Sequence, residues 1–294
     1  MTRFKAPVEY NRTSDSDRNS MGRFAGMPVG VQMLSDWHIQ RLGFQVVADL
    51  PVTTVSWTIT LVGVGTVALS DDLFPPHVTL TNAAADNDSV ELQWTAADAS
   101  GEWIDLTTDR ACYFETMIRL RDAGNVDAAV EEVEFFVGLC VTDATAQAGA
   151  TDFVGFRKRD LTDDATGRIN FVCADAGGAA GALVDGLVQA TGWVALNPVE
   201  NQATDRANRV LGANQWIKLA FLIEPQAAGA TGRAFCWVND EPIPGNPIDL
   251  TGQIPNENIC LTLAVQNGEA VIKNMDVAYV LLAQKYRDDA DILI

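Results

Sequence analysis

Basic residues are scarce in this sequence: 20 Lys and Arg stand against 39 Asp and Glu, a formal charge of −19 over 294 residues. Such a balance repels phosphate backbones and makes nucleic acid a poor partner for the main body. Histidine is scarcer still. Only His38 and His77 occur, in unrelated contexts, and neither neighbours a nucleophile motif. The chain has no G-x-S-x-G and no H-E-x-x-H, so the serine-hydrolase elbow and the zincin helix are both missing. Cysteines number five (Cys112, Cys140, Cys173, Cys236, Cys260), an odd count without a C-x-x-C pair. Each lies in an apolar, strand-like segment, where free cysteine behaves as a small hydrophobe. The expectation is therefore buried, reduced thiols, with no disulfide framework, no metal site and synthesis in a reducing cytoplasm.

Long apolar helices are lacking as well. The longest uncharged run, Leu50 to Ser70, contains Pro51, five threonines and two glycines. Within it Val55, Trp57, Ile59 and Leu61 alternate with polar residues, the period of a half-buried strand rather than of a membrane helix. No membrane partner is expected. The opening MTRFKAPVEYNRTSDSD has no apolar stretch before a small-residue cleavage site, so no secretory leader is expected either.

What is present is a globular composition, 48% hydrophobic and 20% charged, too apolar for wholesale disorder. Period-2 apolar runs recur between clusters of Gly, Asp, Asn and Pro. Examples are Gly43–Asp49, Val55–Leu61, Cys112–Leu120, Val133–Val141, Trp216–Ile223, Ala234–Asn239, Cys260–Val265 and Val271–Ala283. In Trp216–Ile223, Ile217, Leu219, Phe221 and Ile223 face one way, and Phe235 and Trp237 share a face across Cys236. No stretch carries a sustained i, i+3, i+4, i+7 stripe, so helices are minor. A dozen strands with turn signals between them predict an all-β protein, a two-sheet sandwich or jelly roll. Residues 37–285 read as one such domain, followed by a short tail, 286–294.

Residues 1–36 differ. They are polar and aperiodic, the composition of an extended N-terminal arm that is ordered by what it lies against. Residues 1–24 hold Arg3, Lys5, Arg12, Arg18 and Arg23 against three acidic side chains, +2, so the rest of the chain carries −21.

Three motifs invite chemistry. Gly63-Val64-Gly65-Thr66-Val67-Ala68 matches the loose dinucleotide fingerprint, but that mechanism needs a helix to open there, and LSDDLFPP follows. A plain strand-to-turn role is expected. Glu132-Val133-Glu134 offers two carboxylates at i and i+2 on a strand, the placement that β-sandwich glycoside hydrolases need for acid and nucleophile. It resembles the laminarinase-type pattern E-x-D-x-x-E, but the third position is Val137, and a solvent-facing acidic strand edge is expected instead. Among acidic clusters, Asp86-Asn87-Asp88 fails the EF-hand pattern, with Glu91 where glycine is required. No cofactor is expected.

Seven tryptophans point to sugar stacking. Trp57, Trp216 and Trp237 lie in apolar strands and are expected in the core. Trp103 and Trp193 stand close to Gly or Asp in apparent turns and are the candidate sugar platforms.

The order of the central segments carries a resemblance. WIDLTTDRACYFETMIRLRD (Trp103–Asp122) contains a strand reading Y-F-E-x-x-I-x-L, and EVEFFVGLCVTDAT (Glu132–Thr145) contains F-x-G-L-x-x-x-D. Together with NQWIKLAFLIE, GRAFCWVNDEPI and MDVAYVLLAQ they resemble the concanavalin A-like (laminin G-like) jelly rolls of virion proteins from tailed bacteriophages. The resemblance implies a non-enzymatic virion protein that decorates and stabilises a capsid, assembled in the bacterial host. Its partners would be the major capsid protein and further copies of itself, with the arm residues Arg3, Lys5, Arg12, Arg18 and Arg23 pairing with capsid carboxylates. The alternative is a lectin-like, carbohydrate-binding module of a head or tail fibre, with a glycan held at Trp103 or Trp193.

Overall fold

The computed structural model describes residues 37–43, 57–70, 75–95, 102–107, 110–122, 133–142, 151–159, 169–175, 216–225, 231–243 and 246–285. The expected arm, 1–36, and tail, 286–294, lie outside them.

Fifteen strands and no helix run through the described residues. They are β1 (Trp37–Gly43), β2 (Thr58–Val62), β3 (Thr66–Ser70), β4 (His77–Thr81), β5 (Ser89–Gln93), β6 (Cys112–Asp122), β7 (Val133–Cys140) and β8 (Phe153–Lys158). Then follow β9 (Ile169–Ala174), β10 (Trp216–Pro225), β11 (Gly232–Val238), β12 (Glu241–Pro242), β13 (Ile248–Asp249), β14 (Cys260–Asn267) and β15 (Lys273–Lys285). A nine-stranded sheet has the order β12-β11-β10-β6-β15-β4-β3, with β1 also paired to β15 and β13 to β11. A six-stranded sheet has the order β2-β5-β14-β7-β8-β9. Chain neighbours such as β2 and β3, β6 and β7, and β14 and β15 lie in different sheets, so the chain builds both layers together. This is the all-β, two-sheet sandwich that the alternation predicts.

The core lies between the sheets, where the period-2 pattern places it. Phe114 and Ile118 of β6, Leu219 and Phe221 of β10, Phe135 and Val137 of β7, and Leu261 and Leu263 of β14 all join one buried cluster. Phe114 stacks on Phe221 at 5.0 Å and 17°. Phe171 and Phe156 reach the same ring from the other sheet, at 5.6 and 6.1 Å. Aromatic contact across the interlayer space ties the sheets at their centre.

Alternation fails as a guide to the outer faces. Every residue of β7, β8 and β9 is buried. On the outer face of the six-stranded sheet Phe136, Cys140, Phe153, Val172, Ala174 and Ala264 form a second apolar cluster. Tyr113, Ala220, Leu222, Trp237 and Ala283 form another outside the nine-stranded sheet. Trp237 is thus buried, as expected, but not between the sheets. All five cysteines are free and buried.

Strand limits shift at several places. The first described strand is Trp37–Gly43, which the alternation does not mark; of the expected run Gly43–Asp49, residues 44–49 lie outside the described ones. The last strand starts at Lys273, leaving Val271 and Ile272 exposed in the connection from β14. A bulge between Val277 and Tyr279 inserts Ala278 and resets the phase of β15. Met275 and Val277 face the core before it, Val280 and Leu282 after it.

The Gly63–Gly65 segment is a strand connection, because β3 begins at Thr66. Gly63 sits at φ +81°, and a Cβ on Gly65 would lie 2.3 Å from Val90 Cγ2 and 2.8 Å from the Thr81 carbonyl. The close approach of this connection to Val90 of β5 and Thr81 of β4 requires glycine at position 65.

Candidate functional site

Trp103 lies in the connection from β5 to β6, at one end of the six-stranded sheet. Ile104, the next residue, exchanges backbone hydrogen bonds with Ile259 at 3.2 and 3.0 Å, which fixes Trp103 relative to the start of β14. Trp57 and Trp94 close this end of the core, stacked at 6.1 Å and 25°. Trp103 meets Trp94 edge-on at 5.9 Å and 79°. The three indoles form a graded ladder: Trp57 is buried, while Trp94 and Trp103 are half-buried against the core. Polar groups flank it. Glu102 Oε1 accepts from the Thr142 amide at 2.7 Å, and Asp105 Oδ1 accepts from the Thr107 amide and hydroxyl at 2.8 and 2.6 Å. Of the expected sugar platforms, Trp103 is therefore half-buried and held by Trp94 and the Ile104–Ile259 pair; Trp193 lies outside the described residues.

The acidic pair requires correction. Glu132 lies outside the described residues. Glu134 is neither solvent-facing nor on an edge: β7 is paired on both sides, with β14 and β8, and Glu134 is 6% exposed on the sheet's outer face. Glu91 and Arg157 share that face, also buried. Val137, at the third acidic position of the hydrolase pattern, points the other way into the core. The acidic turn Asp86-Asn87-Asp88 is local turn chemistry. Asn87 has φ 64°, its Oδ1 accepts from Gln266 Nε2 at 3.1 Å, and the Asp88 amide donates to the Ala85 carbonyl at 3.2 Å. Among the described residues no group of three or more His, Cys, Asp or Glu side chains is placed to hold a metal.

A third cluster escaped the sequence reading. On the outer face of the nine-stranded sheet, register sets Thr79 of β4 beside Asp276 of β15, Asp276 beside Arg119 of β6, and Arg119 beside Trp216 of β10. Asp276 is fully buried. Its Oδ2 accepts from Arg119 Nε and Nη2 at 2.8 and 2.5 Å and from Arg121 Nε at 2.7 Å. Its Oδ1 accepts from Arg121 Nη2 and the Thr79 hydroxyl, both at 2.7 Å. Burial opposes ionisation of this carboxyl. The hydrogen bonds from Arg121 and Thr79, the charge of Arg121 and the hydrogen bond from Arg119 outweigh it and hold the pKa below the ordinary carboxylate value. His77 Nδ1 donates to the Pro75 carbonyl at 2.8 Å, and its Nε2 stands 3.7 Å from Asp276 Oδ1. Trp216, expected in the core, instead lies half-buried on this outer face, with the Arg119 guanidinium 4.6 Å above its ring and His77 edge-on at 5.7 Å. The one signal in the sequence was Ile118-Arg119-Leu120-Arg121, two arginines on one face of an apolar strand.

No protein-family model matches the sequence, and no curated protein is similar to it. Solved structures are similar in fold. A protein of unknown function from Shewanella oneidensis MR-1 is similar at TM-score 0.50 and 8% identity, over 95% of this chain and 98% of that one. An endo-1,3-beta-glucanase from Streptomyces sioyaensis is similar at TM-score 0.50 and 9% identity, over 88% of this chain and 99% of its own. Peanut lectin bound to a 9mer peptide is similar at TM-score 0.48 and 10% identity, over 87% and 100%. The fold is the two-sheet, concanavalin A-like jelly-roll sandwich. The expectation that the chain is not an enzyme is corrected, because a sandwich of this fold is a glucanase and the fold gave no ground for excluding catalysis. The capsid expectation gains nothing from these likenesses. Its contact residues Arg3, Lys5, Arg12, Arg18 and Arg23 lie outside the described residues.

Proposed function

We propose that the protein binds carbohydrate in the manner of a lectin, with the sugar seated at the end of the six-stranded sheet against Trp103. The observation that carries the reading is the support of that indole: half-buried, edge-on to Trp94, and anchored through the Ile104–Ile259 backbone pair. A sugar presents one apolar C–H face and a rim of hydroxyls. A fixed ring takes the face at little entropic cost, and the neighbouring Glu102, Asp105, Thr107 and Thr142 supply hydrogen-bonding groups for the rim. The fold shared with an endo-1,3-beta-glucanase, a protein named for a glycan, directs the search toward polysaccharides by analogy only.

The test is a glycan array probed with the full chain, followed by titration of the best glycan into wild type, Trp103→Ala and Trp103→Phe. Expected are a selective set of glycans, at least tenfold weaker binding by Trp103→Ala, and partial recovery by Trp103→Phe. A blank array, or equal affinity of all three proteins, refutes the proposal.

A further inference from the structure

The cluster around Asp276 carries more positive charge than its internal pairing needs. Two guanidiniums converge on one carboxylate, leaving a surplus of one positive charge in a chain whose net charge is −19. Asp276 is saturated, since its two oxygens already accept from Arg119, Arg121 and Thr79. A guanidinium has five N–H donors; each arginine spends two on Asp276, so three remain on each. Those donors reach solvent, because the arginine side chains are 18% and 27% exposed while the carboxylate beneath them is fully buried. The forks are also held in place, by the carboxylate below and, for Arg119, by the Trp216 ring. Pre-positioned guanidinium donors with an unspent charge form a receptor for an oxyanion, which they hold by charge-assisted, bidentate hydrogen bonds.

We propose that Arg119 and Arg121, set on Asp276 and Trp216, form a binding site for an oxyanionic group: the carboxylate of an acidic saccharide, or a free phosphate of the same hydrogen-bonding chemistry. The site lies on the outer face of the nine-stranded sheet, built by β4, β6, β10 and β15, whereas Trp103 stands at the end of the six-stranded sheet. Only the saccharide as the source of the carboxylate rests on the carbohydrate reading; the oxyanion site does not.

Arg121 is the residue to remove. Without it Asp276 keeps Arg119 and Thr79 as partners, so the buried carboxylate stays paired while the surplus charge and three outward donors vanish. Wild type, Arg121→Ala and Arg121→Lys are titrated calorimetrically, in phosphate-free buffer, with an oligogalacturonate, a neutral oligosaccharide of equal length, and inorganic phosphate. Circular dichroism melts confirm that each variant is folded. Expected is oligogalacturonate binding that weakens with added salt, falls at least tenfold in Arg121→Ala and is partly kept in Arg121→Lys. Should phosphate alone bind and be lost in Arg121→Ala, the oxyanion site stands and a saccharide as its source fails. Anion binding that is absent in wild type, or undiminished in folded Arg121→Ala, overturns the proposal, as does a neutral oligosaccharide that binds as well as the acidic one and equally needs Arg121.

Discussion

Replacing Asp276 by Asn tests how the outer face of the nine-stranded sheet is held. The substitution keeps the shape and one acceptor, but it sets an amide NH₂ or a neutral oxygen where Oδ2 took three N–H bonds from Arg119 and Arg121. Removing one partner of a fully buried ion pair costs about 3–5 kcal/mol, since the other charge is stranded. Here the stranded guanidiniums are 18% and 27% exposed and water recovers part of their solvation, so the expected loss is about 2–3 kcal/mol. For a chain of this size each kcal/mol shifts Tm by roughly 2–4 °C, giving a fall of about 4–12 °C at pH 7. The pH dependence has a fixed sign. A carboxyl whose folded pKa is depressed contributes stability that is complete above its unfolded pKa, about 3.9, and that is lost as pH falls through the folded value. The gap between wild type and Asp276→Asn should therefore stay constant from pH 7 to about 5 and close only below about pH 4. Thermal melts followed by circular dichroism across this range measure it. A Tm at pH 7 within about 1 °C of wild type, or a gap that widens on acidification, refutes the reasoning.

Two further outcomes follow from the core. Phe221→Ala removes the ring that Phe114, Phe156 and Phe171 share across the two sheets, and should cost about 3–5 kcal/mol in a urea titration; a loss below about 1 kcal/mol would mean that the interlayer contact is not as close as the geometry shows. Burial pushes the Cys260 thiol up to about 11, against partial relief from Thr262 and Thr142, and pushes Cys112, Cys173 and Cys236 well above the ordinary thiol value. A thiol-disulfide reagent at pH 8 should accordingly label these four only after denaturation, and fast labelling of any of them in the native protein would contradict their burial.

The sequence by itself determined the fold class and the interlayer core. Alternation in Trp216–Ile223 or Val133–Val141 assigns one face of each strand, because side chains leave a strand on opposite sides in a period of two and the apolar set must be buried. It also identified Trp103 as an indole in a connection, though not the Trp94 and Ile259 partners that hold it. The outer faces were not legible. Glu134 looked like an exposed edge because period two says which residues share a face, not whether something covers it or which strands flank it; tertiary structure put β7 mid-sheet and buried it on both sides. The phase of β15 was hidden too, since the inserted Ala278 turns the later residues to the opposite face and no local composition marks such a bulge. Trp216 was assigned to the core for its apolar strand, whereas pairing of β10 with β6 places it under Arg119 on the outside. The Asp276 cluster draws on residues from 77 to 276, each unremarkable alone. Only the strand order β10-β6-β15-β4 brings them side by side, because hydrogen-bonded register, a property of the whole sheet, decides which distant charges become neighbours.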